Sequence, residues 1–138
     1  MNLTLIDAFR RFGAMPTHRL RARSAIAADG AMVLNCSQQY FAHPSRGVLR
    51  YEDRLSREPD DSKDVGLLGQ HLTLARDGAL PVRMIVASLA DVKSGAARGY
   101  HVRPDLVGKV LKFDGDHFII DFTRREDVGQ AAVSNHRK

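Results

Sequence analysis

Arginine is the side chain here whose number and spacing suit a definite chemistry. Among 138 residues there are 21 basic ones, all but five of them arginine, and the formal net charge is +5. A guanidinium carries a planar fork of donors that meets two phosphate oxygens at once and stacks on bases, so an excess of it points to a polyanionic partner. Its placement is uneven. Residues 1–51 hold seven basic groups against two acidic ones, residues 52–81 four against seven, and residues 82–138 ten against seven. Arg21 and Arg23 recur at period two, the spacing that puts side chains on one face of a strand, with Arg19 just before them. Arg46, Arg50 and Arg54 follow on a segment that should lie nearby, and Tyr40, Phe41 and Tyr51 supply rings on which bases could stack. The bland alternative is a solvated sheet face whose arginines meet nothing.

Few other chemistries have the residues they need. The six histidines are dispersed, none at the i, i+4 spacing of a helical zinc site, and no Cys-x-x-Cys occurs. Cys36 is the single cysteine, so it makes no internal disulfide, and its place in an apolar run reads as a small buried hydrophobe. There is no glycine-rich phosphate loop, no Gly-x-Gly-x-x-Gly after a strand and no Gly-x-Ser-x-Gly frame, so neither a cofactor nor acyl transfer is implied. The first dozen residues include Asp7, Arg10 and Arg11 and no long apolar run, which argues against a secretory signal or a membrane span and for a cytosolic protein.

Turn chemistry marks the elements that must position these groups. Residues 22–37 alternate around Asp29-Gly30, and residues 107–123 around Asp114-Gly115. In the first hairpin a three-residue loop, 28–30, pairs Ile26 with Met32 and Ser24 with Leu34, and sends Arg21, Arg23, Asn35 and Ser37 to a wet face. In the second, a two-residue loop pairs Leu111 with Phe118, Lys109 with Ile120 and Val107 with Phe122. Gly108, Lys112, His117 and Asp121 then share the polar side. Thr4, with Asp7 three residues on, reads as a capping box for a short helix over 4–12, ending at Gly13. Asp61 or Ser62 opens a second helix over 62–77 whose Val65, Leu68, Leu72 and Ala75 form a stripe closed by Gly78. Residues 47–55 read as a charged edge strand, and residues 82–87 as a buried one. Residues 38–46 read as an aromatic loop, 90–99 as a flexible basic loop, and 129–138 as a mobile basic tail.

The fold expected is α+β, a single domain over 1–128. It has a mostly antiparallel sheet of two Asp-Gly hairpins plus one or two further strands, with both helices covering one face. The order helix, three strands, helix, strand resembles the core of restriction-endonuclease-like nucleases. That resemblance implies a divalent metal held by an Asp and a Glu-x-Lys on neighbouring strands. Here Glu52-Asp53-Arg54 puts arginine where the lysine would stand, with Asp29 as the preceding acid. Asp105 with Asp121-Phe122-Thr123 puts threonine there. The reading favoured is therefore non-catalytic binding of nucleic acid through Arg19, Arg21, Arg23, Arg46, Arg50, Arg54, Tyr40 and Tyr51, with no metal and no cofactor. A divergent nuclease, or a module that binds another protein or a second copy of itself, are the alternatives; no membrane partner is expected.

Overall fold

The computed structural model describes residues 3–16, 22–57, 63–87 and 99–125. Residues 90–98 of the basic loop expected at 90–99 and the tail at 129–138 lie outside the described residues, as do Arg19 and Arg21. Two helices, α1 (Leu5–Arg11) and α2 (Lys63–Gly78), accompany eight strands: β1 (Ser24–Ile26), β2 (Met32–Ser37), β3 (Phe41–Ser45), β4 (Val48–Arg54), β5 (Val82–Ala87), β6 (Tyr100–Val102), β7 (Leu106–Phe113) and β8 (His117–Arg124). The sheet runs β1-β2-β5-β7-β8-β4-β3, with β6 added to β5. Every pairing is antiparallel except β2 with β5, which the α2 crossover makes parallel.

Chain connectivity forces this sheet to curl. β2 stands near one end of the order and β3 at the other, yet a single 3-10 turn, Gln38–Tyr40, joins them. The two ends must therefore meet. They do so through Tyr51 of β4, whose hydroxyl accepts the Ser37 amide of β2 at 3.0 Å. Inside the curl α2 packs on β1, β2 and β7, and Leu68, Leu72 and Ala75 join Met32, Leu34, Met84, Ile120 and Phe122 in the larger apolar cluster. The α2 stripe is thus the one its spacing predicts, although the chain turns out of the helix at Ala79, which takes the left-handed φ of 52°.

Contrary to the expectation from the sequence, the two helices do not cover one face together but sandwich β1, β2 and β5 between them. Thr4 caps α1 by accepting the Asp7 amide at 3.2 Å. Leu5, Ala8 and Phe9 then pack with Ala25, Val33 and Ile85 in a second apolar cluster on the opposite side of the sheet from α2. Alternation along β2 and β5 explains the sandwich. Residues of one parity meet α2, those of the other meet α1, and neither face is left wet.

The first hairpin has the expected register, Ser24 opposite Leu34 and Ile26 opposite Met32. Asp29 accepts the Ala31 amide at 3.0 Å, and Gly30 takes φ 91°, the left-handed residue this loop requires. The second hairpin differs. Asp114 turns its carboxylate onto the amides of Asp116 and His117, at 3.0 and 2.8 Å, and its own amide donates to the His117 carbonyl. The tight loop is therefore 115–116, and Phe113 faces Phe118. A bulge between Val110 and Lys112 then shifts the register, so that Lys109 faces Asp121 and Gly108 faces Phe122. Gly108 consequently lies in the core rather than on the polar face. A Cβ there would stand 2.6 Å from the Phe122 ring and 2.9 Å from Ile120, so only glycine lets that ring lie flat against β7. Residues 41–45, expected as loop, form the edge strand β3, exposed from Ala42 onward and carrying Pro44. Among the described residues no helix is long and apolar enough to cross a membrane.

Candidate anion-binding site

Among the described residues, several of those expected to track phosphates are drawn into internal pairs. Arg23 is only 9% exposed: its Nε donates to the Asn35 carbonyl at 3.3 Å, and its Nη2 lies 3.5 Å from the Asp53 carboxylate. Tyr51 is fully buried, its hydroxyl donating to Asp53 at 2.9 Å while it accepts the Ser37 amide, so its ring has no face to offer a base. Both are corrections to the expected array. The cause is the curl of the sheet, which turns the inner face of β4 toward the end of β2. Arg50 makes a two-pronged pair with Asp121 at 2.7 and 2.9 Å, set by their direct cross-strand register. Arg54 approaches Asp116 at 3.7 Å. Tyr40 is half-buried beneath Arg57, whose guanidinium carbon sits 4.3 Å from the ring centroid. Arg46 stays exposed on the turn between β3 and β4.

The carboxylates named for a metal are likewise separated. Glu52 and Asp53 alternate to opposite faces of β4: Glu52 lies outside, 2.6 Å from His117 Nε2, and Asp53 inside, held by Arg57 at 2.6 Å. Asp121 is taken by Arg50 and Asp105 by Arg103. Among the described residues no group of three or more His, Cys, Asp or Glu side chains could hold a metal ion. One further polar pair sits in the interior, where the Ser24 hydroxyl and His71 Nδ1 are 2.7 Å apart between β1 and α2. Burial lowers the His71 pKa and raises those of the Cys36 thiol and the Tyr51 phenol.

Among the described residues, cations outnumber carboxylates at another place, where β7 begins and β8 finishes beside the β6–β7 turn. An open concavity of about 540 Å³ there is lined by Pro104, Asp105, Arg124 and Arg125. Its frame is main-chain: the Arg125 amide donates to the Asp105 carbonyl at 2.7 Å, fixing the end of β8 against the β6–β7 turn. Arg103 grips Asp105 through two bonds, at 3.1 and 2.9 Å, which draws the Asp105 carboxyl below its usual range and raises Arg103. Arg83 comes from β5. Its Nη2 donates to the Pro104 carbonyl at 2.9 Å, and its guanidinium carbon stands 4.7 Å from the centroid of the Phe12 ring at the end of α1. Burial and then the charge of Arg125 lower the Arg83 pKa, with Asp29 acting the other way. Among the described residues, four guanidinium groups, from Arg83, Arg103, Arg124 and Arg125, thus share one region with two carboxylates, Asp29 and Asp105. Arg10 and Arg11 are exposed in the last turn of α1, whose capping residue Phe12 packs on Arg83.

None of these four arginines belongs to the expected set, yet three carry a signal in the sequence. Arg124 and Arg125 are adjacent at the foot of a hairpin strand, and Arg83 is the only charged residue in the apolar run Val82–Ala87. A lone arginine in a buried strand must leave the core toward a partner or solvent, and that is a signal in itself. Compared with known proteins, the chain matches no family model, no curated protein and no solved structure.

Proposed function

We propose that this protein binds nucleic acid through its phosphates, without catalysing a reaction on it, and that the surface it uses is the arginine concavity at the ends of β7 and β8. One observation carries the reading: among the described residues Arg124 and Arg125, with Arg83 close by, adjoin an open concavity whose one lining carboxylate, Asp105, is already held by Arg103, whereas Arg50 elsewhere has the Asp121 carboxylate to itself. Like charges gathered in this way repel one another, and an anion that replaces the missing carboxylates relieves the repulsion. Arginine forks aimed at phosphate oxygens give affinity without sequence readout.

Fluorescence anisotropy of a labelled oligonucleotide across roughly 50–200 mM salt tests this, because each phosphate neutralised steepens the fall of affinity with salt. The expected outcome is a log–log slope of about −2 to −4 for the wild-type protein. The double charge reversal Arg124→Glu with Arg125→Glu should weaken binding by roughly tenfold or more and flatten that slope. Arg50→Gln, at a pair already closed by Asp121, should change neither. A flat response, or equal sensitivity to both sets of substitutions, sinks the proposal.

A further inference from the structure

We infer that the concavity receives a terminal phosphate of a nucleic-acid strand, a phosphomonoester, in preference to the internal diesters along the strand. This rests on the nucleic-acid reading above and names the part of the ligand the site takes.

Shape is the first reason. A surface that tracks internal diesters spreads its cations along an open strip, since the strand's charges repeat at regular intervals. Here Arg124 and Arg125 line a single concavity, and Arg83 and Arg103 are tied to the turn that forms its wall, through the Pro104 carbonyl and the Asp105 carboxylate. A concavity suits one group with nothing beyond it, which is what a strand end offers.

Charge is the second. Among the described residues the four arginines against Asp29 and Asp105 leave an excess of two positive charges in this region. An internal diester carries one negative charge, whereas a terminal monoester carries about −1.5 to −2 near neutral pH and presents three oxygens to donors. The monoester therefore neutralises the excess where the diester leaves part of it standing.

Preorganisation is the third. Arg83 is held on two sides, by the Phe12 ring at 4.7 Å and the Pro104 carbonyl at 2.9 Å, while its buried Nε has no hydrogen-bond partner among the described residues. The Arg125 main chain is pinned to Asp105. Groups fixed before the ligand arrives lose little freedom on binding. Asp105, holding the fork of Arg103, occupies the place that a phosphate oxygen would take from it.

The test uses the full chain and one oligonucleotide sequence made in three forms: phosphorylated at the 5′ end, phosphorylated at the 3′ end, or hydroxyl at both. At fixed salt, one phosphorylated form should bind at least roughly tenfold more tightly than the hydroxyl form, the size of an added charge-assisted contact. That advantage should vanish in Arg124→Gln with Arg125→Gln, whose thermal melt is recorded alongside to show that it folds. Inorganic phosphate should compete away the advantage and leave the residual binding. Equal affinity for all three forms in the wild-type protein overturns the inference; if that binding still weakens steeply with salt and on charge reversal, the broader reading stands. Absence of binding to any form at low salt overturns both. A nucleoside monophosphate that binds as tightly as the phosphorylated strand also overturns the inference, because the ligand is then the free nucleotide.

Discussion

Asp53→Asn should destabilise the fold by about 3–5 kcal/mol, the effect of removing one partner from a buried ion pair. The Asp53 side chain is 3% exposed and its carboxylate has four partners: Arg57 Nε at 2.6 Å, the Arg54 amide at 2.8 Å, the Tyr51 hydroxyl at 2.9 Å and Arg23 Nη2 at 3.5 Å. Two opposite charges 3.5 Å apart attract by roughly 5 kcal/mol at an effective dielectric of about 20. Most of that loss falls on Arg23, whose side chain is 10% exposed, because the Arg57 side chain is 44% exposed and regains water when its partner goes. For a chain of this length each kcal/mol moves the melting temperature by about 3 °C, so the variant should melt roughly 10–15 °C lower. Urea denaturation followed by circular dichroism measures it directly, with Arg57→Ala as the exposed-partner control expected to lose about 1 kcal/mol. Replacing both buried partners together, Arg23→Leu with Asp53→Leu, should recover part of the loss, since no lone charge is then left inside. If Asp53→Asn melts within about 1 kcal/mol of wild type, the pair does not tie the curled sheet together and the account of its closure is wrong.

Gly108→Ala should cost about 1–3 kcal/mol, because the added methyl meets the Phe122 ring at 2.6 Å, and the loss should shrink when Phe122→Leu is made in the same chain. A cost that Phe122→Leu leaves unchanged would show that the close approach is not its source. Burial lowers the pKa of His71 below its ordinary 6.5, so the folded chain binds this proton less readily than the unfolded one. Its contribution is therefore complete above about pH 6.5 and is lost as pH falls from there toward the folded value; melts recorded downward from neutral pH should decline less steeply for His71→Gln than for wild type. Asp105→Asn should tighten oligonucleotide binding by severalfold at low salt, since it frees the Arg103 fork and removes a negative charge from the concavity; weaker binding would mean that Asp105 holds the site in shape instead.

Local chemistry was legible along this chain, and distance in sequence decides where that legibility ends. The 28–30 loop could be read because Asp29 and Gly30 act on residues two positions away, and the Thr4 cap because it reaches Asp7. In the second hairpin the same dipeptide sits one position off the tight loop, since Asp114 used its carboxylate on two amides, and the bulge beyond it lets Gly108 meet Phe122 across the ladder. Neither demand is visible in the alternation of β7 alone. Period two assigned Arg23 to a face, but whether that face is wet depends on what covers it. Here α1 and α2 enclose β1, β2 and β5 from both sides, and the curl brings Asp53 of β4 to Arg23. A basic residue near a strand pattern is thus weak grounds for a binding surface until the carboxylates that the fold delivers to it are known. By the same measure the arginines that remain under-matched among the described residues are the informative ones, and they lie where the start of β7 and the end of β8 meet the β6–β7 turn. Only contacts between segments far apart in the chain, Arg83 with Pro104 and Arg125 with Asp105, assemble that site.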